Sequence, residues 1–201
     1  MAGNATEVQK LYVAYFSRPA DAGGLDYWTN ALANNPGALQ EMSRQFSISQ
    51  EYRDTYAGMD SRAMVTEVYD NLFGRAAEKA GVDYWAGLLD SKQVSIDNMV
   101  TQIAAGARDS DLFAWNAKVA AANAFVARLD QPNEKAAYTG AAANQMAIDW
   151  IASVKNLETA AMAQDPGVID ALISRMVGAN AMAIDDVQLV GMVALPEPAY
   201  M

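Results

Sequence analysis

The chain contains no cysteine and no histidine. The first absence removes disulfides and thiol nucleophiles, the second removes Ser-His-Asp triads, and together they remove the usual zinc and copper sites. Positive charge is scarce: 14 Lys and Arg face 24 Asp and Glu, a net charge of −10. Such a surface repels phosphate, which argues against nucleic acid as a partner and against direct docking on bare anionic lipid. A polyanionic partner would have to be met through neutral sugars or a bridging divalent cation. No apolar run approaches the roughly 20 residues needed to span a bilayer. Nor does the N-terminus read as a cleavable signal, because Met1 to Lys10 leads straight into an amphipathic pattern. Val, Ile and Thr form no alternating runs, so strands have little support. The nucleophile elbow Gly-x-Ser-x-Gly, the phosphate loop and the Asp-x-Asp-x-Asp-Gly calcium loop are all missing.

What is present is helical. Alanine, the strongest helix former, supplies about a fifth of the residues. Thr6-Glu7-Val8-Gln9 reads as a capping box, followed by Val8, Leu11, Tyr12, Tyr15 and Phe16 on one face. Pro19 stops that helix, and Asp21 is placed to cap a second carrying Leu25, Trp28 and Leu32. A third is predicted from about 38 to 56, with Leu39, Met42 and Phe46 inward.

The pattern then restarts. Val8, Tyr12, Phe16, Arg18, Gly24, Asp26, Tyr27, Trp28 and Leu32 recur as Val65, Tyr69, Phe73, Arg75, Gly81, Asp83, Tyr84, Trp85 and Leu89. The gap-free register extends to Met42/Met99 and Gln45/Gln102, so the first half is a tandem duplication. Beyond it, Asp109 or Ser110 is expected to cap a long helix carrying Leu112, Trp115, Val119, Ala122, Val126 and Leu129. Further helices are expected over about 141–154, after Asn156, and from Asp165-Pro166. The predicted architecture is all-α: two three-helix units (8–56 and 65–107, within 1–110), then a helical bundle segment (111–178) packed on them. The tail, 179–201, reads as neither helix nor strand with any preference.

Both copies carry the same corner: Arg18, Asp21, Gly24 and Trp28 in the first, Arg75, Glu78, Gly81 and Trp85 in the second. Each part has a structural job. The acid caps, glycine permits close approach, tryptophan fills the core, and arginine pairs with a carboxylate across the corner. Tyr27 and Tyr84 are turned about 100° from the tryptophans and are expected to be exposed. With Asp26 and Asp83 they are the candidate ligand-binding residues, since flat rings suit pyranose faces. The acidic pairs Asp185-Asp186 and Glu41 with Glu51 could in principle serve a hydrolase, but in an acidic helical chain they read as solvated. The methionines fall on core positions.

Residues Val8 to Phe16 with Arg18-Pro19-Ala20-Asp21 and Gly24 to Trp28, and the second copy with Asn71 to Arg75, resemble the bacterial DUF4214 repeat. Lys118 to Asp130 and Ala137-Tyr138-Thr139-Gly140 resemble the segment that often follows it. The resemblance extends over about 6–175 and, distantly, to phycobilisome linker domains. It implies a non-enzymatic attachment or assembly module of surface-layer proteins, extracellular or on the cell surface, leaving by type I secretion without an N-terminal signal peptide. The implied partners are copies of itself or envelope polysaccharide. No cofactor follows, calcium being the cation that oxygen ligands would suit. The alternatives are a cytoplasmic helical scaffold or linker and, last, a carboxylate-dependent hydrolase.

Overall fold

The computed structural model describes residues 2–191, and side chains over 3–182. Among the described residues all regular structure is helical. The first copy is α1 (Ala2–Phe16), α2 (Ala22–Asn34) and α3 (Ala38–Ser47), followed by the short α4 (Gln50–Thr55). The second is α5 (Ser61–Phe73), α6 (Lys79–Asp90) and α7 (Ile96–Gly106). Then come α8 (Asp109–Arg128), α9 (Pro132–Ala137), α10 (Gly140–Ala152), α11 (Leu157–Ala163) and α12 (Pro166–Gly191).

Equivalent helices of the two copies meet: α1 packs on α5, and α3 on α7. Their apolar stripes form one core, with Val8, Tyr12, Phe16, Trp28, Met42 and Phe46 from the first copy. Val65, Leu72, Phe73, Met99 and Ile103 come from the second. Each three-helix unit alone would leave this face wet, so docking of the pair is what buries it. A second core joins α8 to α12 around Phe125, Tyr138, Trp150, Ile151, Leu172 and Met176. The α1 helix serves both, because Val13 on its other face belongs to the second core. Residues 11–20 are accordingly all buried.

Local capping corrects four sequence expectations. The first helix begins at Ala2, not Thr6. Gln9 is fully buried, and its Oε1 accepts from Ala20 N at 2.9 Å, so it ties the corner instead of a helix start. The predicted 38–56 helix is broken at Ser49, whose hydroxyl accepts from Tyr52 N and starts α4. The long helix has Arg108, not Asp109 or Ser110, at its N-cap, and Asp109 takes a left-handed φ of 46°. Leu112 faces outward, 40% exposed. Residues 179–191 continue α12, while 192–201 lie outside the described residues.

The corner needs two special backbone positions. Immediately after the first helix of each copy the chain turns through left-handed φ, at Gly74 (67°) and at its counterpart Ser17 (50°). Gly24 and Gly81 let a tyrosine from the preceding helix approach. A Cβ on Gly24 would stand 2.0 Å from the hydroxyl of Tyr12, a residue only 5% exposed, whereas on Gly81 the distance to Tyr69 is 3.3 Å. Gly24→Ala is therefore expected to destabilise by about 3 kcal/mol through overpacking. Gly81→Ala should be near neutral, and equal effects in urea titrations would contradict this packing.

Candidate functional site

At the first corner, Arg18 leaves the end of α1 and is 5% exposed. Its Nε and Nη2 donate to both carboxylate oxygens of Glu51 on α4, at 2.6 and 2.7 Å, and Nη1 donates to Pro19 O at 2.9 Å. The guanidinium also lies over the rings of Tyr12 and Phe16, 5.1 and 5.7 Å from their centres. Asp21 caps α2 by accepting from Gly24 N. The corner is closed by the far half of the chain: Tyr138, at the end of α9, donates its hydroxyl to Pro19 O at 2.7 Å. Trp28 packs inside against Phe46, 7% exposed.

The second corner repeats this wiring in a different setting. Arg75 donates through Nε and Nη2 to Asp111, both at 2.7 Å, and through Nη1 to Ala76 O at 2.9 Å. It too lies over its tyrosine and phenylalanine, Tyr69 and Phe73, at 5.7 and 5.9 Å. Three things differ. Glu78 makes no cap bond and instead pairs with Arg75 at 2.8 Å. Ile103 stands where the first copy has Phe46, so Trp85 lacks the ring contact that Trp28 makes there and is half-buried. And Ala76 is exposed, with the Arg75 side chain 36% accessible. The result is a cleft of about 360 Å³ lined by Arg75, Glu78, Trp85, Gln102, Gly106 and Asp111, among others.

Residues 43–108 match the family model of DUF4214, a domain of unknown function. The DUF4214 match starts inside α3 and takes in α4 to α7, so it contains the second corner as far as Trp85 and Gln102. It is narrower than the 6–175 over which the resemblance was expected. Arg18, Trp28, Asp111 and Tyr138 fall outside it. No curated protein and no solved structure matches the chain.

Within and beside the DUF4214 span, the candidate ligand-binding residues do not converge. Tyr27 and Tyr84 are 62% and 60% exposed, each set edge-on against its neighbouring tryptophan at 4.9 and 5.1 Å. They sit on α2 and α6, which pack on α1 and α5 respectively, so they form two platforms. Asp26 is exposed, while Asp83 is held by Arg62 and Lys79. Glu41 pairs with Arg44 and Glu51 with Arg18, so those two acids do not act together. The side chains of Asp185 and Asp186 lie outside the described residues. Among the described residues no group of three or more acids could hold a metal ion, and no helix is long and apolar enough to cross a membrane. A separate, largely apolar groove between α8 and α11 is lined by the exposed Phe113 and Leu157.

Sequence reasoning missed two residues that tie the halves together, Tyr138 and Lys118. Lys118 is 1% exposed, and its Nζ donates to Asp70 O and Asn71 O at 2.9 and 2.8 Å. It thereby closes the C-terminal end of α5, where carbonyls lack partners and a cation is favoured. A lone lysine on an otherwise apolar helix face was the available signal.

Burial gives these residues a pH signature. Desolvation lowers the Lys118 ammonium from 10.5 to about 8. Between those values the unfolded chain binds the extra proton, so stability rises with pH. Desolvation raises the phenols of Tyr12, Tyr15 and Tyr56, and those of Tyr52 and Tyr138 to about 12. Above about pH 10 the unfolded chain therefore loses these protons first, and stability falls. The melting temperature should climb from pH 8 to near 10 and then drop steeply. Lys118→Met should remove the climb and keep the drop, and a wild-type profile that falls steadily from pH 8 would contradict the buried ammonium.

Proposed function

We propose that the protein is a non-catalytic attachment and assembly module of surface-layer type, acting at the bacterial cell surface on envelope polysaccharide or on copies of itself. The observation that carries this reading is the duplicated corner. In one copy the arginine and tryptophan, Arg18 and Trp28, are buried, and in the other their counterparts Arg75 and Trp85 are partly open to solvent. Trp85 offers an apolar face within the cleft, with Gln102, Glu78 and Asp111 as hydrogen-bonding groups in the same lining and Tyr84 set against the indole, a mixture suited to sugar rings and protein surfaces alike.

Charge sets the conditions. A chain of net charge −10 is screened from an anionic envelope beyond about 8 Å at physiological salt and repelled once it comes closer. Contact then requires neutral sugars, or calcium shared between carboxylates of the two surfaces, for which its flexible oxygen coordination is suited. The experiment is to mix purified protein with washed envelope polysaccharide, with calcium and then with chelator, and to measure the bound fraction. Binding is expected to weaken in chelator while the helical circular dichroism persists, and Tyr84→Ala should weaken it further. No binding in either condition, together with a cytosolic location in the source cell, would overturn the surface reading in favour of an intracellular scaffold.

A further inference from the structure

The duplication supplies its own comparison for what fits the exposed corner. At the first corner the occupant is visible: α9 ends in Tyr138, whose ring packs edge-on against Phe125 and whose hydroxyl reaches Pro19 O. The start of α10, with Gly140, Ala141 and Asn144, then lies beside Glu51 and Asp54 on α4. Arg18 and Pro19, which this segment meets through Tyr138, are both buried. The second corner carries counterparts of the groups around Pro19: the Arg75 guanidinium, the Ala76 carbonyl, the Tyr69 and Phe73 rings, and Asp111 at the start of α8. It differs by being exposed, with Glu78 resting against Nη1 of Arg75. Glu78 is itself 69% exposed, so its ion pair is worth little and yields readily to another partner.

From this we propose that the second corner is a docking site for a polypeptide segment of another protein molecule in which a short helix ends in tyrosine, the ring covering Arg75 and the phenol donating to Ala76 O. The segment is the chemical counterpart of residues 131–140, whose helix carries a capping box at Gln131 and Glu134 and runs into Tyr138-Thr139-Gly140. A saccharide could meet the same rings; the peptide is favoured because one tyrosine-ended helix already meets the twin corner through Pro19 O. The inference deepens the assembly branch of the proposed function. Because its test uses purified protein alone, failure to find the chain at a cell surface leaves it standing.

The test is to titrate the ¹⁵N-labelled full chain with a synthetic peptide of residues 131–140 and follow backbone amide shifts. Saturable shifts confined to 69–85 and 102–111 are expected. A peptide with Tyr138→Phe should bind about fivefold more weakly, the typical worth of one hydrogen bond. Gly106 lines the cleft, and a Cβ there meets open space. Gly106→Trp should therefore block the peptide while leaving the melting temperature unchanged. The proposal is overturned by an absence of shifts at millimolar peptide, by shifts that persist unaltered in Gly106→Trp, or by shifts at this corner from neutral dextran oligomers but not from the peptide.

Discussion

Replacing Trp28 with alanine is expected to destabilise the protein by about 3–5 kcal/mol, the usual cost of deleting a large buried aromatic. The indole is 7% exposed and packs edge-on against Phe46, inside a cluster where Tyr12, Tyr15 and Phe16 also meet that ring. Removing it opens a hole that rigid aromatic neighbours cannot close. Trp85→Ala, its counterpart by duplication, should cost roughly half as much. Its ring is half-buried, and Ile103 stands where Phe46 would be, so solvent enters the space at little penalty. Chemical denaturation of the two variants measures both values. Equal costs would mean that the copies are more alike than the structure shows.

Arg18→Ala should be comparably severe, about 3 kcal/mol, because the guanidinium is buried, and removing it leaves a cavity and breaks its pair with the partly exposed Glu51. The loss reaches beyond Glu51. Arg18 also bonds Pro19 O and covers the rings of Tyr12 and Phe16, while Tyr138 seals the site from the other core. Arg75→Ala removes the same set of bonds where water can replace them, and should cost about 1 kcal/mol, as exposed pairs do. Lysine at either position keeps the charge but not the two parallel bonds to one carboxylate. Arg18→Lys should thus recover only part of the loss. If Arg75→Ala proved as damaging as Arg18→Ala, the second corner would be a structural joint and not a free surface.

How much of this was legible in the sequence follows from which contacts are local. The 57-residue register names both corners because Arg, Gly, Asp, Tyr and Trp recur at fixed spacing, and Asp21 caps α2 within three residues of itself. That Arg18 and Arg75 pair with acids was also readable as a need of buried or half-buried guanidinium. The partners were not. Register pairs Glu51 with Arg108, yet Arg75 takes Asp111, one helical turn further on. Register sets α4 over the start of α8, so the acid comes from equivalent elements, but from the position of Glu51 in one copy and of Asp54 in the other. The asymmetry between the corners was equally hidden, since it depends on Tyr138, 119 residues away from Pro19. Ser49 shows a smaller failure of the same kind. The apolar spacing runs on through it, but a hydroxyl accepting from Tyr52 N outweighs that pattern and starts a new helix.

The claim at the centre of the account is that the second corner is the surface this module uses. Hydroxyl-radical footprinting, comparing free purified protein with protein attached to its envelope or assembled with its partner, reads that surface directly. In the free state Tyr84 and Trp85 should react readily and Trp28 slowly. On attachment Tyr84 and Trp85 should be protected, with Phe113 and Leu157 in the groove between α8 and α11 unchanged. Protection of Phe113 and Leu157 with Tyr84 and Trp85 still reactive would contradict that claim, and would move the working surface to the groove between α8 and α11.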